Sequence, residues 1–429
     1  MLYTRPVSSA VFHRENGALY LERVRLSSLL SSGLETPFFI YSTAQLVSDW
    51  QAYAQAVRGI DAVVGYAIKA NSNPAILRLL AGFGAGAVVV SDHEVRLALE
   101  SGFSPARMLL HGNGKRSRDI DAALQAGIIL SVDSEFDLEQ IAARALAHKT
   151  KAKLLLRVNP DIDPQVHPYI STGLLDSKFG FSEAAVERTR QRLQSLPSVE
   201  VRGLHCHLGS TLKTVQPVRD AARLLATLVL ALRSDGHPID ILDMGGGLGI
   251  DYSRGREQLP IPDELTLAVS PVLHELGLRL FLEPGRSLVG RAGALIGRVL
   301  GVKDNGRKNF IVTDASMAQL IRPCLYGAYH HIELLDESVA GPSAAFDVVG
   351  PICESGDFLG QGRQLPTPRA GDGLIVYDAG AYGFAMASRY NLHLGCAEYL
   401  VDGQSIRRVR RAETFDDLRQ TFSDEPISL

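Results

Sequence analysis

The stretch Ala62-Val-Val-Gly-Tyr-Ala-Ile-Lys69 begins a rhythm that runs to Arg286, in which short β-branched runs alternate with longer stretches of helical periodicity. Strands are read at Val63–Ile68, Ala87–Val90, Met108–His111, Ile129–Val132, Leu154–Val158, Val201–His205, Ile239–Asp243 and Leu280–Glu283, with a helix candidate after each of the first seven. Eight such units predict a closed (β/α)8 barrel of the TIM type rather than an open sheet. After Arg286 the texture changes to β-rich segments between Gly, Pro and Asp turns: Ala294–Lys303, Asn309–Thr313, Phe346–Val349, Gly373–Tyr377 and Glu398–Val401. The segment before Thr36 lacks the barrel rhythm, and its strand Ala18–Leu21 is expected to pair with that later region. The predicted organisation is therefore α/β plus all-β: a barrel over 36–286, and a β-rich domain built from 1–35 and 287–429.

At 429 residues the chain is longer than one hydrophobic core supports, which agrees with two domains. Its net charge of −3 excludes the basic excess of a nucleic-acid binder. Cys206, Cys324, Cys353 and Cys396 form no Cys-x-x-Cys pair, so neither a metal site nor a disulfide framework is expected, and reduced thiols suit a cytoplasmic protein. Met1–Arg14 lack the pattern of a signal peptide and no apolar run reaches membrane-span length, so no membrane association is expected. The residues from Leu418 onward are expected to fray.

In a (β/α)8 barrel, reactive groups sit at the carboxyl ends of the strands. Four features meet that test: Lys69, His207 in His205-Cys-His-Leu-Gly-Ser210, the run Gly245-Gly-Gly247, and Glu283 in Glu283-Pro-Gly-Arg286. Lys69 ends an apolar strand, where desolvation lowers an ammonium pKa and frees the amine for Schiff-base chemistry; the bland alternative is an ordinary solvated lysine. The successive glycines expose backbone N–H groups suited to a phosphate, with Arg286 and Ser210 able to add hydrogen bonds, although a tight strand-to-helix turn explains glycines equally well. Glu283 suits the partner of a pyridine nitrogen, against an inter-strand ion pair with Arg286 or Arg157. His207 suits a ring stacked on a cofactor face, against a plain hydrogen-bonded histidine, and His205 is expected to point into packing.

Together Tyr66-Ala-Ile-Lys-Ala-Asn71, His205-Cys-His-Leu-Gly-Ser210, Gly245-Gly-Gly-Leu-Gly-Ile250, Glu283-Pro-Gly-Arg286, Cys353-Glu-Ser-Gly-Asp357 and Asp378-Ala-Gly-Ala-Tyr382 resemble the motifs of the alanine-racemase-fold (fold-type III) pyridoxal-phosphate decarboxylases, nearest the diaminopimelate decarboxylase family. The likeness runs from about Gly17 to Leu418. It implies a barrel followed by a β-sandwich-like domain, pyridoxal 5'-phosphate as cofactor, and a homodimer with shared active sites. By matching motif it implies that Lys69 holds the cofactor covalently and that His207 stacks on its ring. Ser210, Gly246, Gly247, Glu283, Pro284, Gly285, Arg286 and Tyr382 complete the cofactor site. Cys353 is implied as the proton donor, acting from the partner subunit. Arg286, Arg322, Tyr326, Glu354 and Tyr382 are implied as substrate contacts, with Arg322 and Tyr326 at the distal end of a diamino acid and Glu354 on its distal ammonium.

The implied reaction is decarboxylation of meso-2,6-diaminopimelate to L-lysine and CO2, the last step of lysine biosynthesis. Two alternatives stand beside it. One is a sister decarboxylase acting on D-ornithine, D-lysine or another diamino acid, against which Arg322 argues. The other is a non-catalytic relative, against which the joint presence of Lys69 and Cys353 argues. The chain departs from many family members at Leu392-His-Leu-Gly-Cys396, where those carry an Arg-Pro pair.

Overall fold

The computed structural model describes residues 11–163, 173, 177–255, 257–337 and 341–425. It divides into two compact units, one of Asp49–Asp251 and Gly255–Leu288, the other of Met1–Ser48, Tyr252–Arg254 and Val289–Leu429.

The first unit is a closed barrel of eight parallel strands: β1 (Ala62–Ala67), β2 (Gly86–Val89), β3 (Met108–Leu110), β4 (Ile129–Val132), β5 (Ala152–Arg157), β6 (Val199–His205), β7 (Ile241–Asp243) and β8 (Arg279–Leu282). Closure is made by β8 pairing with β1, in the register Phe281 to Val63. All eight predicted strands are present, with ends shifted by one or two residues. Inside the barrel, Val63, Leu109, Leu155 and Ile241 pack as a layer drawn from the odd-numbered strands, against Phe281. A barrel filled this way is a solid platform, and only its rim is open to chemistry. The helices between strands bury one stripe each; Gln216–Ser234 turns Val218, Ala221, Ala222, Leu225, Val229 and Leu232 inward.

Near the carboxyl rim a buried ion pair braces the loop after β3. Lys115 Nζ donates to Asp137 at 2.6 Å and to the Gly112 carbonyl at 2.7 Å, and Asp137 also accepts the Asp133 N–H. Asp133 in turn holds Arg157 at 3.2 Å. Buried charges of this kind persist because each has several partners.

The second unit carries a mixed sheet in the order Phe358–Pro366, Ser343–Val349, Asn309–Thr313, Gly293–Asp304, Phe38–Ser42, Ala397–Asp402 and Ser405–Arg410, with Gly373–Val376 and Ile332–Leu334 attached to it. The strand Phe38–Ser42 falls within the segment assigned to the barrel by sequence, yet it pairs with Gly293–Asp304 and Ala397–Asp402 in this unit. Five consecutive buried residues explain why: a strand covered on both faces needs neighbours on both edges. Phe12–Glu15, Ala18–Leu21 and Val24–Arg25 form a small antiparallel sheet, and Leu19 N–H donates to the Leu335 carbonyl, so the early segment does join the later β region. Residues 418 and 419 close the short helix Phe415–Arg419, and the last four residues lie outside the described ones.

Candidate active site

Lys69 sits in a single 3-10 turn, Ile68–Ala70, directly after β1. The turn is pinned from both sides: Ala67 N–H donates to the Pro284 carbonyl at 3.0 Å, and the Tyr66 hydroxyl donates to the Asn71 carbonyl at 2.8 Å. Between buried Ile68 and Ala70, the Lys69 side chain is exposed. The desolvated amine expected from sequence is thus replaced by one lifted into the barrel mouth, because the strand ends two residues earlier and the turn rotates Lys69 outward. Burial raises the pKa of the neighbouring Glu94 carboxyl, against the opposing effects of the Val90 N–H that it accepts at 2.8 Å and of the Lys69 charge.

The glycine run follows β7. Gly245 and Gly247 have φ of +65° and +113°, a conformation that suits glycine. There is no room for side chains either: a Cβ on Gly245 would lie 2.6 Å from His207 Nδ1, and one on Gly247 would lie 2.4 Å from the Gly209 carbonyl. Gly246 N–H donates to His207 Nδ1 at 3.2 Å, so Nδ1 is an acceptor and the neutral ring carries its proton on Nε2. Burial, then the Lys69 charge, push the His207 pKa down to about 3. Arg286 Nε and Nη2 both donate to Ser210 Oγ, at 3.1 and 3.0 Å. A guanidinium, a hydroxyl and open backbone thus border the same glycine loop.

Glu283 continues from β8 into a buried cluster. His111 Nε2 lies 2.7 Å from Glu283 Oε1, His205 Nε2 lies 3.8 Å from Glu283 Oε2, and Asp243 Oδ2 lies 3.9 Å from His111 Nε2. Burial pushes the Glu283 carboxyl up, but its interactions with His111, His205 and His207 outweigh that and hold it well below the usual carboxylate range. Burial, then the Glu283 charge, push Asp243 well above its usual range. The two carboxyls are coupled, Asp243 shifted toward its neutral form and Glu283 toward its anionic form. The four residues could face a metal ion, their donor atoms all lying within 4.8 Å of one another. However, the 2.7 Å between His111 Nε2 and Glu283 Oε1 is shorter than the roughly 3.3 Å that separates donors on a zinc ion with bonds of about 2.0–2.1 Å. The cluster is read as a set of coupled titratable groups around Glu283.

The bland alternative for Glu283 is not met, and the reading of His205 gains detail. Glu283 takes histidine partners, while Arg157 binds Asp133; an arginine ion pair is not what anchors the carboxylate. His205 is buried as expected, but it belongs to the cluster: its ring meets His111 edge-on at 4.4 Å and its Nδ1 contacts Ser131 Oγ at 3.1 Å.

In the β-rich unit, Arg322 and Tyr326 begin and end a short helix, Arg322–Tyr326, which carries Pro323 in its first turn and stops at the left-handed Gly327. Arg322 is buried, its Nη1 is 2.7 Å from His330 Nε2, and its guanidinium lies over the Tyr252 ring at 4.9 Å. Cys353 and Glu354 are exposed, on a loop shaped by Asp357, whose carboxylate accepts from Met317 N–H and Ile352 N–H. Cys353 N–H donates to Asn391 Oδ1 at 2.8 Å. Asp378 and Tyr382, at the two ends of one motif, have φ of +58° and +57°, a backbone strain of the kind that collects at binding sites.

The pyridoxal-binding domain of the pyridoxal-dependent decarboxylases matches residues 43–290. A probable chloroplastic diaminopimelate decarboxylase of Oryza sativa subsp. japonica is 48% identical over 95% of this chain and 84% of its own length. The diaminopimelate decarboxylase of Pseudomonas aeruginosa is 42% identical over 95% of this chain and 97% of its own. The chain belongs to the diaminopimelate decarboxylase family. Among solved structures, the family member from Helicobacter pylori, complexed with L-lysine, is 35% identical with a TM-score of 0.88, covering 92% of this chain and 98% of that one. The M. jannaschii enzyme, also with L-lysine, gives 0.90 at 32% identity, over 96% and 98%.

The cofactor of this decarboxylase is pyridoxal phosphate, and the residues present fit it. Gly245 and Gly246 donate their N–H groups to Asp243 Oδ1 and His207 Nδ1, while the open backbone at Gly247 borders Arg286 and Ser210, which suit a dianionic phosphate; Glu283, its Oε1 2.7 Å from His111 Nε2 and its carboxyl held well below the usual range, suits the ring nitrogen. The sequence reading found Glu283 but missed His111 and Asp243. His111 ends the predicted third strand, and Asp243 the predicted seventh, so the rule that selected Lys69 could have selected both.

Proposed function

We propose that this decarboxylase converts meso-2,6-diaminopimelate to L-lysine and CO2. The observation that carries the reading is Glu283, set among histidines that favour its anionic form, with a glycine cradle and Lys69 on the same barrel rim, in a chain 39–48% identical to diaminopimelate decarboxylases over nearly its whole length. Bound pyridoxal phosphate supplies an electron-withdrawing ring that accepts the electron pair left when the α-carboxylate departs as CO2. Lys69 holds the cofactor through its amine and yields that position to the substrate amine. Glu283 keeps a proton on the ring nitrogen, and its own charge is secured by the histidines around it. His207, neutral and seated on the glycine run, offers a flat face for the ring. Gly247, Ser210 and Arg286 take the phosphate, with Gly246 seating His207 beside it; Tyr382 is a phosphate contact by resemblance alone.

The remaining roles rest on the resemblance. Cys353 returns a proton to the carbon that lost its carboxylate, the D centre, and the L centre is untouched. Arg322 and Tyr326 hold the distal carboxylate, and Glu354 the distal ammonium, so that each buried charge of a zwitterionic end has a partner. A homodimer with shared sites is part of this reading. It is supported by the exposure of Cys353 and Glu354 and by exposed Tyr390 and Leu392 on either side of Asn391, apolar surface of the kind a partner chain covers. The four free cysteines fit a cytoplasmic location, and no helix among the described residues is long and apolar enough to cross a membrane.

The test of substrate choice is Arg322→Lys. It retains charge but loses the planar fork, and kcat/KM for meso-diaminopimelate is expected to fall on the order of tenfold or more with cofactor binding intact. Any turnover of D-lysine, which has no distal carboxylate, is expected to change far less. Equal losses on both substrates would assign Arg322 to the fold, and a parent protein inactive on diaminopimelate would move the assignment to a sister decarboxylase.

Assembly is tested separately by mixing two inactive variants, Lys69→Ala and Cys353→Ala. If Cys353 acts across the dimer, each mixed dimer regains one complete site and activity returns. Continued inactivity after verified subunit exchange would place both residues of a site in one chain.

A further inference from the structure

We propose that His330 is a positioning residue for substrate recognition, fixing the plane and direction of the Arg322 guanidinium. The inference rests on the reading that Arg322 binds the distal carboxylate. His330 is fully buried, with Nδ1 2.8 Å from the Tyr377 carbonyl and Nε2 2.7 Å from Arg322 Nη1. A carbonyl oxygen only accepts, so Nδ1 must carry the proton; a guanidinium only donates, so Nε2 must present its lone pair. The two partners thus select one neutral tautomer of the ring. Tyr252 meets the same ring edge-on at 5.0 Å and lies under the guanidinium at 4.9 Å, holding the pair from a third side. Tyr377, whose carbonyl anchors the histidine, directly follows the strand Gly373–Val376, so the orientation of Arg322 is referred back to the sheet.

An arginine on a short helix has many rotamers, and a bidentate grip on a carboxylate requires one. Occupying one guanidinium edge with a fixed acceptor selects the direction in which the remaining N–H groups point. His330 contributes nothing to the reacting carbon; its effect is confined to ligands that carry the distal carboxylate.

The test uses holoenzyme and two ligands: the product L-lysine, which retains that carboxylate, and 1,5-diaminopentane, which lacks it. In His330→Asn the shorter amide can still reach the Tyr377 carbonyl but offers no acceptor at the Nε2 position. In His330→Gln the longer amide restores that acceptor. Calorimetric Kd for L-lysine is expected to rise roughly tenfold or more in His330→Asn and to recover most of that loss in His330→Gln. The Kd for 1,5-diaminopentane and the cofactor absorbance are expected to stay near those of the parent. Lysine binding unchanged in His330→Asn, or both ligands weakened alike in both variants, overturns the proposal. Arg322→Lys run alongside separates the two readings: if it binds L-lysine like the parent, the role of Arg322 itself fails, whereas a weakened Arg322→Lys beside an unaffected His330→Asn defeats only the positioning role. Should His330→Asn not fold, the 15N shifts of His330 in the parent decide: a neutral ring protonated at Nδ1 supports the assignment, and one protonated at Nε2 refutes it.

Discussion

Lys69→Ala protein is expected to lose turnover by roughly 10^4-fold or more and to show no borohydride-reducible adduct with pyridoxal phosphate. The loss is large because the 3-10 turn after β1 lifts Lys69 into the barrel mouth between two buried neighbours, whereas Lys115, also near the rim, is buried and bound to Asp137. The phosphate cradle is untouched by the substitution, since Arg286, Ser210 and the glycine run lie on other strand ends. Cofactor should therefore still bind, without a covalent bond, and be removable by dialysis. Mass spectrometry after borohydride treatment reads the difference. A reducible adduct persisting in Lys69→Ala would show that the cofactor is attached elsewhere.

Glu283→Gln is expected to lower kcat on the order of 10^2–10^3-fold while leaving the Lys69 attachment in place. The amide has the shape of the carboxylate but no charge, so the proton on the cofactor ring nitrogen loses its counter-ion. The neighbouring Asp243→Asn should cost at least tenfold less, because burial and the Glu283 charge favour the neutral form of Asp243, which the amide resembles. Comparable losses in the two variants, measured as kcat at saturating cofactor and substrate, would mean that Glu283 is not the standing anion.

The barrel was legible because each of its strands is a short, largely apolar run, bounded and repeated, and because a barrel restricts chemistry to one rim. The second unit was harder. Ser405–Arg410 carries arginines at Arg407, Arg408 and Arg410, and Phe358–Pro366 contains Gly360, Gly362 and two glutamines, so neither has the composition of a strand. Both are held by pairing, Ser405–Arg410 at the sheet edge where charge is tolerated. In the site, Lys69, His207, Glu283 and Arg286 were found through their position at strand ends. The desolvation argument for Lys69 failed because a sequence shows that a strand ends but not how the next turn rotates. His330 gave no signal at all, since its role depends on a carbonyl at Tyr377 and a guanidinium at Arg322 that only the folded sheet brings to the two sides of one ring.

The run Gly245-Gly-Gly247 works as a shared hinge post for groups with unrelated duties. His207 rests against Gly245, while a Cβ on Gly246 would lie 2.2 Å from the Glu283 carbonyl. A side chain at Gly245 would press on the His207 ring support, one at Gly246 on the backbone that carries the counter-ion Glu283, and one at Gly247 on the Gly209 carbonyl beside Ser210. Three separate duties of the cofactor site thus hang on one loop that contains no functional side chain of its own.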